Sequence, residues 1–565
     1  MKYIYTLLFI VIATIISACS LIMGPKKVTP GGTLTLYELE KFQSIYPHST
    51  IDAIGVKVVN QIFEGLVRFN EKDLSIEGAL ATNWKVSADK KIYTFYLKKG
   101  VLFHEDKCFT SQESRNLTAD DVVFSFNRLC SYHDKNLTFL STFSDAVVGA
   151  NENYIMSVND DYNDSVSGIK KIDDYTVEIE LVHPNPYFLY VLASPAAAIF
   201  PVEAYQMYQE NLMVGTGPFK IGEESNTEII LEKNYQYHRK DIDGIQLPYL
   251  DKVQFKFGKS VEEQVKGFNS GQAQVLLKMN KDKFLKKLHH HGLANKDDEI
   301  KEETVPYMGV SYCGFNLQDP HLAKKKVRQA INYAIDVVAL RRRVFQDDSS
   351  EIENNLNGIT PPVFTNYNPA GNNYELDIEK AQQLLKEAGY ENGKELGTIT
   401  IDINKGRGDN PKIAAEIKRQ LKENLNIDIS INVLTFHEKL NKSRNGESQF
   451  FKAGWIADYP HPQNFLSLFY GKDVPELGSQ THSYPNVTRF QNAKFDSLYE
   501  AAAHVELDQT FAILEEAERI MMEEAPGLIL WYGTNQNLMH ESVHGFPTNA
   551  MSHIDFSKTW IEQIQ

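Results

Sequence analysis

The pattern of hydrophobic and polar residues alternates between short β-type runs and amphipathic helical stretches. Strands are predicted where β-branched and aromatic residues cluster or alternate with polar ones, at 93–97, 176–181, 228–231, 253–257, 398–403 and 427–433. Helices are predicted where apolar residues recur every three or four positions, at 119–129, 324–343 and 378–388. The mixture predicts an α/β chain.

The helix predicted at 378–388 has clear signals at both ends. Asp377 precedes it as a capping residue, Glu379 lies in its first turn, and Gly389 follows its last turn. The glycine-containing segment 389–394 is one residue short of the spacing of a phosphate-binding loop, and Glu395 follows it instead of Ser or Thr. A helix end followed by a turn is predicted here, rather than a nucleotide site.

Length and composition indicate a large globular protein. The chain has 565 residues, of which 42% are hydrophobic and 23% are charged, and at roughly 100 to 200 residues per domain it should fold as several domains or lobes. Lys and Arg number 58 against 74 Asp and Glu, a formal net charge of −16. Since the chain also shows no basic patch, a nucleic-acid partner is not expected.

The N-terminus resembles a bacterial lipoprotein signal. Lys2 is followed by an apolar run at 4–16 and then by Ser17, Ala18 and Cys19. We expect residues 1–18 to be a signal peptide, Cys19 to carry lipid, and 19–30 to be a tether. A secretory signal without lipid and a membrane anchor of marginal length are the alternatives. No second apolar run approaches the ~20 residues of a membrane span, so the mature chain is expected in the periplasm or at the cell surface of a bacterium.

Several segments together resemble the family 5 extracellular solute-binding proteins, the dipeptide- and oligopeptide-binding receptors of ABC transporters. They occur in the family's order and spacing, at 79–104, 117–126, 215–219, 326–336 and 454–462. The resemblance implies a two-lobed fold like that of the class II periplasmic binding proteins, in the large peptide-binding branch with an extra domain. It assigns 31–70, 206–305 and 535–565 to lobe I, 71–205 to the extra domain, and 306–534 to lobe II. It also implies a closing cleft, a short peptide as ligand, permease subunits as partners, a monomer, no cofactor and no catalysis.

The resemblance, together with the physical demands of peptide binding, indicates two residues that bind the ends of a ligand. An enclosed peptide brings an ammonium and a carboxylate out of water, and each needs an opposite charge. Asp458 occupies the position at which relatives place the acid that binds the ligand α-amino group. Arg407, ahead of Asn410 and Pro411, resembles the arginine that holds the ligand carboxylate in dipeptide receptors.

The resemblance also implies further ligand contacts. Gly454, Trp455 and Ile456 lead to Asp458, and Phe436 falls where an aromatic residue lines a side-chain pocket. Ile51 and Ala53 correspond loosely to an edge segment that pairs with the peptide backbone.

Three sets of polar residues have both an ordinary and a functional interpretation. His461 replaces an acid common in relatives, and it is either a satisfied loop residue or a ligand contact. His289, His290 and His291 are expected to form a solvated cluster, because consecutive residues do not converge on one metal ion. Cys108 and Cys130 flank an insertion and either pair or stay reduced, while Cys313 is expected to be a buried thiol.

Two other functional classes remain as alternatives. His540, Glu541 and His544 fit the H-E-x-x-H pattern of a zinc peptidase, although Gly545 and Pro547 would end the required helix. Alternatively, the same scaffold carries haem, a metal chelate, an antimicrobial peptide or a murein fragment. We expect a peptide, because haem needs no partner for an α-amino group.

Overall fold

The computed structural model describes residues 28–110, 114–158, 165–294, 300–345, 356–369, 374–405, 408–476 and 482–562. The strands of these residues are β1 Thr33–Tyr37, β2 Val67–Phe69, β3 Ile76–Gly78, β4 Ala81–Val86, β5 Ile92–Leu97, β6 Ile169–Asp173, β7 Thr176–Glu180, β8 Phe219–Glu224, β9 Glu228–Lys233, β10 Lys252–Lys256, β11 Val275–Leu277, β12 Ile300–Phe315, β13 Thr398–Asn404, β14 Asp428–Leu434, β15 Phe450–Ile456, β16 Gly527–His540, β17 Val543–His544 and β18 Trp560–Ile561.

The α-helices lie between and around these strands. They are α1 Ala53–Ile62, α2 Ala119–Leu129, α3 Phe139–Thr142, α4 Ala150–Ser157, α5 Phe188–Leu192, α6 Val202–Tyr208, α7 Val261–Asn269, α8 Lys281–His290, α9 Lys325–Tyr333, α10 Val337–Phe345, α11 Ile378–Glu387, α12 Asn410–Leu425, α13 Phe436–Asn445, α14 Gln463–Leu466, α15 Ala493–Ala502 and α16 Thr510–Glu524. Within the described residues, no helix is both long and apolar enough to cross a membrane.

A ten-stranded mixed sheet organises the molecule, in the order β14-β13-β15-β12-β16-β11-β1-β10-β9-β8. Two neighbouring strands near its middle, β12 and β16, run antiparallel along two stretches that are separated by an irregularity between Pro306 and Val310. One stretch adjoins β11, and the other adjoins β15. The sheet therefore has two halves, joined by two continuous strands with a break in their register. This large sheet confirms the predicted α/β class.

A separate antiparallel sheet, in the order β4-β5-β7-β6, lies within the segment predicted to be an extra domain. Phe95 and Val177 on this sheet share a buried apolar cluster with Leu34 and Val253 of the ten-stranded sheet. A second cluster surrounds Ile401 on β13. The predicted boundaries of the lobes and the extra domain stay a prediction.

Most predicted elements are present, with one clear correction. The helix expected at 324–343 is two helices, α9 and α10, because Asp336 interrupts it and begins the second one. The backbone N–H of Ala339 donates to the Asp336 carboxylate at 2.8 Å, as in an N-cap. The caps predicted around α11 are confirmed, since the Lys380 N–H donates to Asp377 Oδ1 at 2.9 Å and Gly389 has a φ of 91°.

Candidate functional site

The site is built at the end of β15, where one edge of this strand is open. β15 pairs with β12 as far as Ile456, but its parallel pairing with β13 is limited to Phe450 and Phe451. In the described part of the chain, no strand pairs with this second edge beyond Phe451. Gly454 is exposed there, and a free edge of this kind offers backbone donors and acceptors to an added strand.

Asp458 follows directly after β15 and beside the junction of the two halves of the sheet. The N–H of the preceding residue, Ala457, donates to the carbonyl of Met308 on β12 at 2.9 Å. Asp458 remains accessible to solvent, yet the surrounding protein raises the pKa of its carboxyl group to about 6 by removing it from bulk water. Among the described residues, its carboxylate forms no ion pair. Asp458 is therefore an accessible acid with a raised pKa that lacks a counter-charge.

Asn464 holds this part of the site together. Its side-chain oxygen accepts hydrogen bonds from Trp455 Nε1 at 2.8 Å and from the Asp458 N–H at 3.0 Å. Its amide nitrogen lies 3.5 Å from Asp458 Oδ2, and this contact opposes the rise in the carboxyl pKa. Asn464 is only 3% exposed. It therefore positions Trp455 and Asp458 from the protein interior.

Aromatic rings surround the acid. Trp455 is half-buried, and its ring centroid lies 6.3 Å from that of Tyr484. Burial and the nearby Asp458 charge raise the pKa of Tyr484. Tyr459 stacks on Tyr190, with ring centroids 6.0 Å apart. Since Tyr190 lies in the segment predicted to be the extra domain, that segment covers one side of the site.

His461 is a satisfied buried residue. It is 3% exposed, and its ring nitrogens lie 3.0 Å from Thr510 Oγ1 and 3.2 Å from the donating N–H of Gln463. Burial lowers its pKa to about 3, so the ring is neutral. These contacts favour the ordinary interpretation of His461 over a ligand contact.

Phe436 begins α13 and is half-buried. The Lys439 ammonium lies 5.6 Å from the centre of its ring. Lys439 in turn donates a hydrogen bond to β15, at the carbonyl of Lys452, over 2.6 Å. The structure therefore brings Phe436 and the open edge of β15 to one region, and the role of Phe436 toward a ligand stays a prediction.

The segment that contains Ile51 and Ala53 differs from the extended edge implied by the family resemblance. Ala53 is the first residue of α1, and Asp52 caps this helix by accepting hydrogen bonds from the N–H groups of Ile54 and Gly55 at 3.2 and 2.8 Å. The backbone here turns into a helix, which is poorly suited to strand addition. Contact of Ile51 or Ala53 with a ligand stays a prediction.

Two predicted functional residues, Arg407 and Cys19, lie outside the described residues. For Arg407, the flanking structure is clear: β13 ends at Asn404 and α12 begins at Asn410. Because β13 and β15 are parallel, Asn404 and Ile456 lie at the same end of the sheet.

The metal and disulfide alternatives receive no support from the geometry. His540 ends a strand and His544 lies on β17, where it stacks on Trp560 with ring centroids 4.3 Å apart, so the helix that H-E-x-x-H requires is absent at these residues. No group of three or more His, Cys, Asp or Glu side chains is arranged to hold a metal ion within the described residues. Cys108 and Cys130 are both free thiols, so the alternative of a disulfide between them is wrong in this structure.

Comparison with known proteins identifies the family that this chain resembles. Residues 75–475 match the family model described as "Bacterial extracellular solute-binding proteins, family 5 Middle". The chain is 27% identical over 533 residues to the dipeptide-binding protein of Escherichia coli (strain K12), with 91% of each chain covered. It is 29% identical over 485 residues to heme-binding protein A of Haemophilus influenzae, with 82% of this chain and 80% of that one covered.

A solved structure agrees with these relatives. The ABC transporter-associated periplasmic binding protein of Helicobacter pylori, in complex with the peptide STSA, matches with a TM-score of 0.80 and 26% identity over 95% of this chain and 99% of that one. The likeness confirms the expected two-lobed fold. The match over 75–475 covers most of the 565 residues, and the chain therefore belongs to the bacterial extracellular solute-binding proteins of family 5.

Proposed function

We propose that this protein captures short peptides outside the cytoplasmic membrane and delivers them to the permease of an ABC importer, without catalysing a reaction. The observation that carries the proposal is Asp458, a solvent-accessible carboxylate with a raised pKa that has no cation beside it and lies next to an open strand edge. A peptide supplies both missing partners, since its α-ammonium neutralises the acid and its backbone pairs with the edge. The dipeptide-binding relative and the peptide-bound structural match support the same function.

Each site residue has a role in this proposal. Asp458 binds the ligand ammonium, and Gly454 leaves room for the ligand backbone. Trp455 and Ile456 flank the bound chain, and Phe436 borders a side-chain pocket. Arg407 binds the ligand carboxylate from the loop after β13.

Haem is the second candidate ligand, because heme-binding protein A is also a relative. The two candidates make different demands on the site. A peptide ammonium needs an acid such as Asp458, whereas haem offers propionate carboxylates, a large apolar ring and an iron that proteins hold through His, Cys, Met or Tyr. The unpaired acid therefore favours a peptide.

Native mass spectrometry of the purified protein, followed by calorimetric titration with dipeptides and tripeptides, tests the proposal. We expect co-purified masses in the peptide range, saturable binding and intact peptides after prolonged incubation. A Soret band in the isolated protein without peptide binding would replace a peptide by haem as ligand. Turnover without a stable complex would instead indicate an enzyme.

We infer that lipid at Cys19 anchors the mature protein. The support is the sequence alone, with an apolar run at 4–16 followed by Ser17 and Ala18. Cys19→Ser should move the protein from the membrane fraction to the soluble fraction of cells. An unchanged distribution would show that another feature holds the protein at the membrane.

A further inference from the structure

Two buried lysines lie beside the open edge of β15 without an acidic partner. Lys452 on β15 is 6% exposed and Lys439 on α13 is 7% exposed. Neither forms an ion pair within the described residues. Burying an ammonium costs several kcal/mol unless an opposite charge accompanies it, so an unpaired buried pair of lysines needs an explanation.

Lys439 is attached to the point where the edge opens. Its ammonium donates to the carbonyl oxygen of Lys452 at 2.6 Å, and Lys452 follows Phe451, the last residue of β15 that pairs with β13. The ammonium therefore binds the first backbone carbonyl of β15 beyond its pairing with β13. One hydrogen bond leaves two of its three N–H donors for another acceptor.

Lys452 places its own ammonium close by. It donates to the carbonyl oxygen of Ala453 at 2.6 Å and lies 5.5 Å from the centre of the Trp531 ring. This backbone contact also uses one of three donors. Neither a carbonyl nor an indole face supplies the full negative charge that a buried ammonium favours.

The neighbouring groups do not neutralise the two lysines. Asp402 is the acid that acts on Lys439, but its carboxylate already accepts hydrogen bonds from Asn432 at 2.6 Å and from Lys442 at 3.0 Å. Cys313 is also close, and burial raises the pKa of its thiol to about 12, so it is neutral. The region between α13 and β15 thus holds two buried amino groups that no neighbouring acid neutralises.

The ionisation of the lysines reflects this environment. Burial, with a further effect of Lys452, lowers the pKa of Lys439 to about 7. Burial also lowers the pKa of Lys452 to about 8. A carboxylate bound between them would favour the protonated forms, and the lysines would gain the partner that the folded protein lacks.

A ligand side chain can approach from the exposed glycine. Alternate residues of a strand face the same side of a sheet, so Gly454 faces the same side as Lys452. A ligand residue that pairs opposite Gly454 would direct its side chain to that side too. Because Gly454 has no side chain, nothing from β15 blocks the way.

We propose that Lys439 and Lys452 form an anion subsite that takes the side-chain carboxylate of an acidic ligand residue. The proposal rests on the function proposed above and names a substrate class within it, peptides that contain Asp or Glu. It assigns to Phe436, whose ring lies next to the Lys439 ammonium, the wall of this subsite.

The test compares peptides that differ only in charge. Calorimetry with the wild-type protein uses tripeptides of alanine in which Glu or Gln occupies each position in turn. We expect one position at which the Glu peptide binds about ten- to a hundredfold more tightly than the Gln peptide. Lys439→Met and Lys452→Met should each reduce this ratio toward one. Lys386→Met, which removes an exposed lysine of α11, serves as the matched control and should leave the ratio unchanged.

The outcomes separate the two proposals. Equal affinities of the Glu and Gln peptides at every position would overturn the subsite while the peptide receptor stands. Failure of every peptide to bind would overturn the proposed function itself. If the methionine variants lose only their response to amidation of the ligand C-terminus, the lysines hold the terminal carboxylate and the subsite for an acidic side chain is wrong. If a variant does not fold, the Glu and Gln peptides titrated into the wild-type protein still test whether the subsite exists.

Discussion

At the scale of single residues, the unpaired charge of Asp458 explains both the affinity expected for a ligand and its cost to the empty protein. Burial raises the pKa of the Asp458 carboxyl group to about 6, above the ~3.9 of an unfolded chain. The native state therefore holds this proton more tightly than the unfolded state does. Asp458 thus lowers the stability of the empty protein as the pH rises from about 4 through 6.

The first prediction concerns the pH dependence of binding. Because the ligand ammonium needs the ionised carboxylate, the affinity for Ala-Ala should be about tenfold weaker at pH 5 than at pH 7.5. His461, with a pKa of about 3, stays neutral over this range. Lys439 and Lys452 gain protons as the pH falls, but a dipeptide with apolar side chains offers them no side-chain carboxylate. Calorimetry across this range measures the effect.

Asp458→Asn is the control for this pH dependence. Its residual binding should be independent of pH between 5 and 7.5. Thermal unfolding of the empty variant should occur at a higher temperature than that of the wild type at pH 7.5, and the difference should shrink toward pH 4. An undiminished pH dependence in the variant would assign the titration to another group.

The second prediction tests the ammonium contact directly. Asp458→Ala should weaken the binding of a dipeptide by about two to three decades, because it strands the ligand ammonium in the closed cleft. N-acetylation of the dipeptide should cost the wild type a similar amount and cost the variant little more. Equal affinities of free and acetylated dipeptides for the wild type would contradict the assignment.

The sequence reveals Asp458 by its resemblance to a family motif but gives no signal for the residues around it. Asn464 reads as an ordinary polar residue after Pro462, although it links Trp455 and Asp458. Likewise, Lys439 has the appearance of a solvated residue in a polar helix. Their importance depends on burial and on tertiary contacts, which local patterns do not encode.

At the scale of elements, the open edge of β15 determines where a ligand can lie. β13 diverges after Asp402 pairs with Phe451, so within the described residues the remaining backbone of β15 has no partner strand on that side. A peptide that adds to this edge gains backbone hydrogen bonds that do not depend on its side chains. Such binding is expected of a receptor for peptides of many sequences.

The third prediction concerns a substitution, Gly454→Val, that places a side chain at this edge. A Cβ atom on Gly454 would lie 3.2 Å from the carbonyl oxygen of Val310, a tight but local contact, and valine suits a strand. Gly454→Val requires the Val310 carbonyl to shift by a few tenths of an ångström, so we expect a folded variant with a somewhat lower unfolding temperature than the wild type. It should weaken the binding of Ala-Ala by at least about tenfold, because the side chain occupies ligand space.

Ser430→Val, at an exposed position of β14, is the matched control for adding a valine to this sheet. Its affinity for Ala-Ala should equal that of the wild type. Wild-type affinity of Gly454→Val would show that the ligand does not pass this position. Titration together with a thermal unfolding scan separates loss of binding from loss of fold.

The hydrophobic pattern of the sequence predicts the bounds of single helices and strands better than it predicts the breaks between consecutive helices. The helix α2 has the predicted bounds, and β13 differs from its prediction by one residue. Apolar spacing continues across the break between α9 and α10 and therefore predicts one helix, although Asp336 is a recognisable cap. Periodicity alone does not register such a cap.

At the scale of the whole molecule, β12 and β16 connect the two halves of the sheet. Their pairing is irregular between Pro306 and Val310, and Asp458 lies beside this region through the contact of Ala457 with Met308. Such an arrangement suits a hinge that senses a ligand. Contacts such as the ion pair between Lys90 and Glu506 join the predicted extra domain to the far half of the molecule.

The order of the strands in the large sheet was beyond the reach of sequence patterns. β16 comes from the end of the chain, yet it lies between β12 and β11. Hydrophobic periodicity identifies strands but not their partners, because the pairing of distant segments depends on the packing of the whole core. The two-lobed fold was predictable only through the resemblance to a known family.

The fourth prediction concerns ligand length. Asp458 follows β15, Arg407 comes after β13 in the sequence, and these two parallel strands end on the same side of the sheet. An extended peptide covers at most ~3.3 to 3.6 Å per residue, and if these two side chains bind its two ends, only two or three residues fit. Affinity measured by calorimetry should then fall steeply from tripeptide to tetrapeptide, and amidation of a dipeptide should weaken it strongly.

Arg407→Ala should remove both this dependence on length and the response to amidation, because the variant no longer binds the terminal carboxylate. The matched control is Arg519→Ala, which removes an arginine with an exposed side chain on α16 and should preserve the wild-type length profile. If the wild type instead binds pentapeptides tightly and is indifferent to amidation, Arg407 does not hold the ligand. The protein would then accommodate longer peptides, with Asp458 fixing one end and the open edge of β15 supporting the rest of the chain.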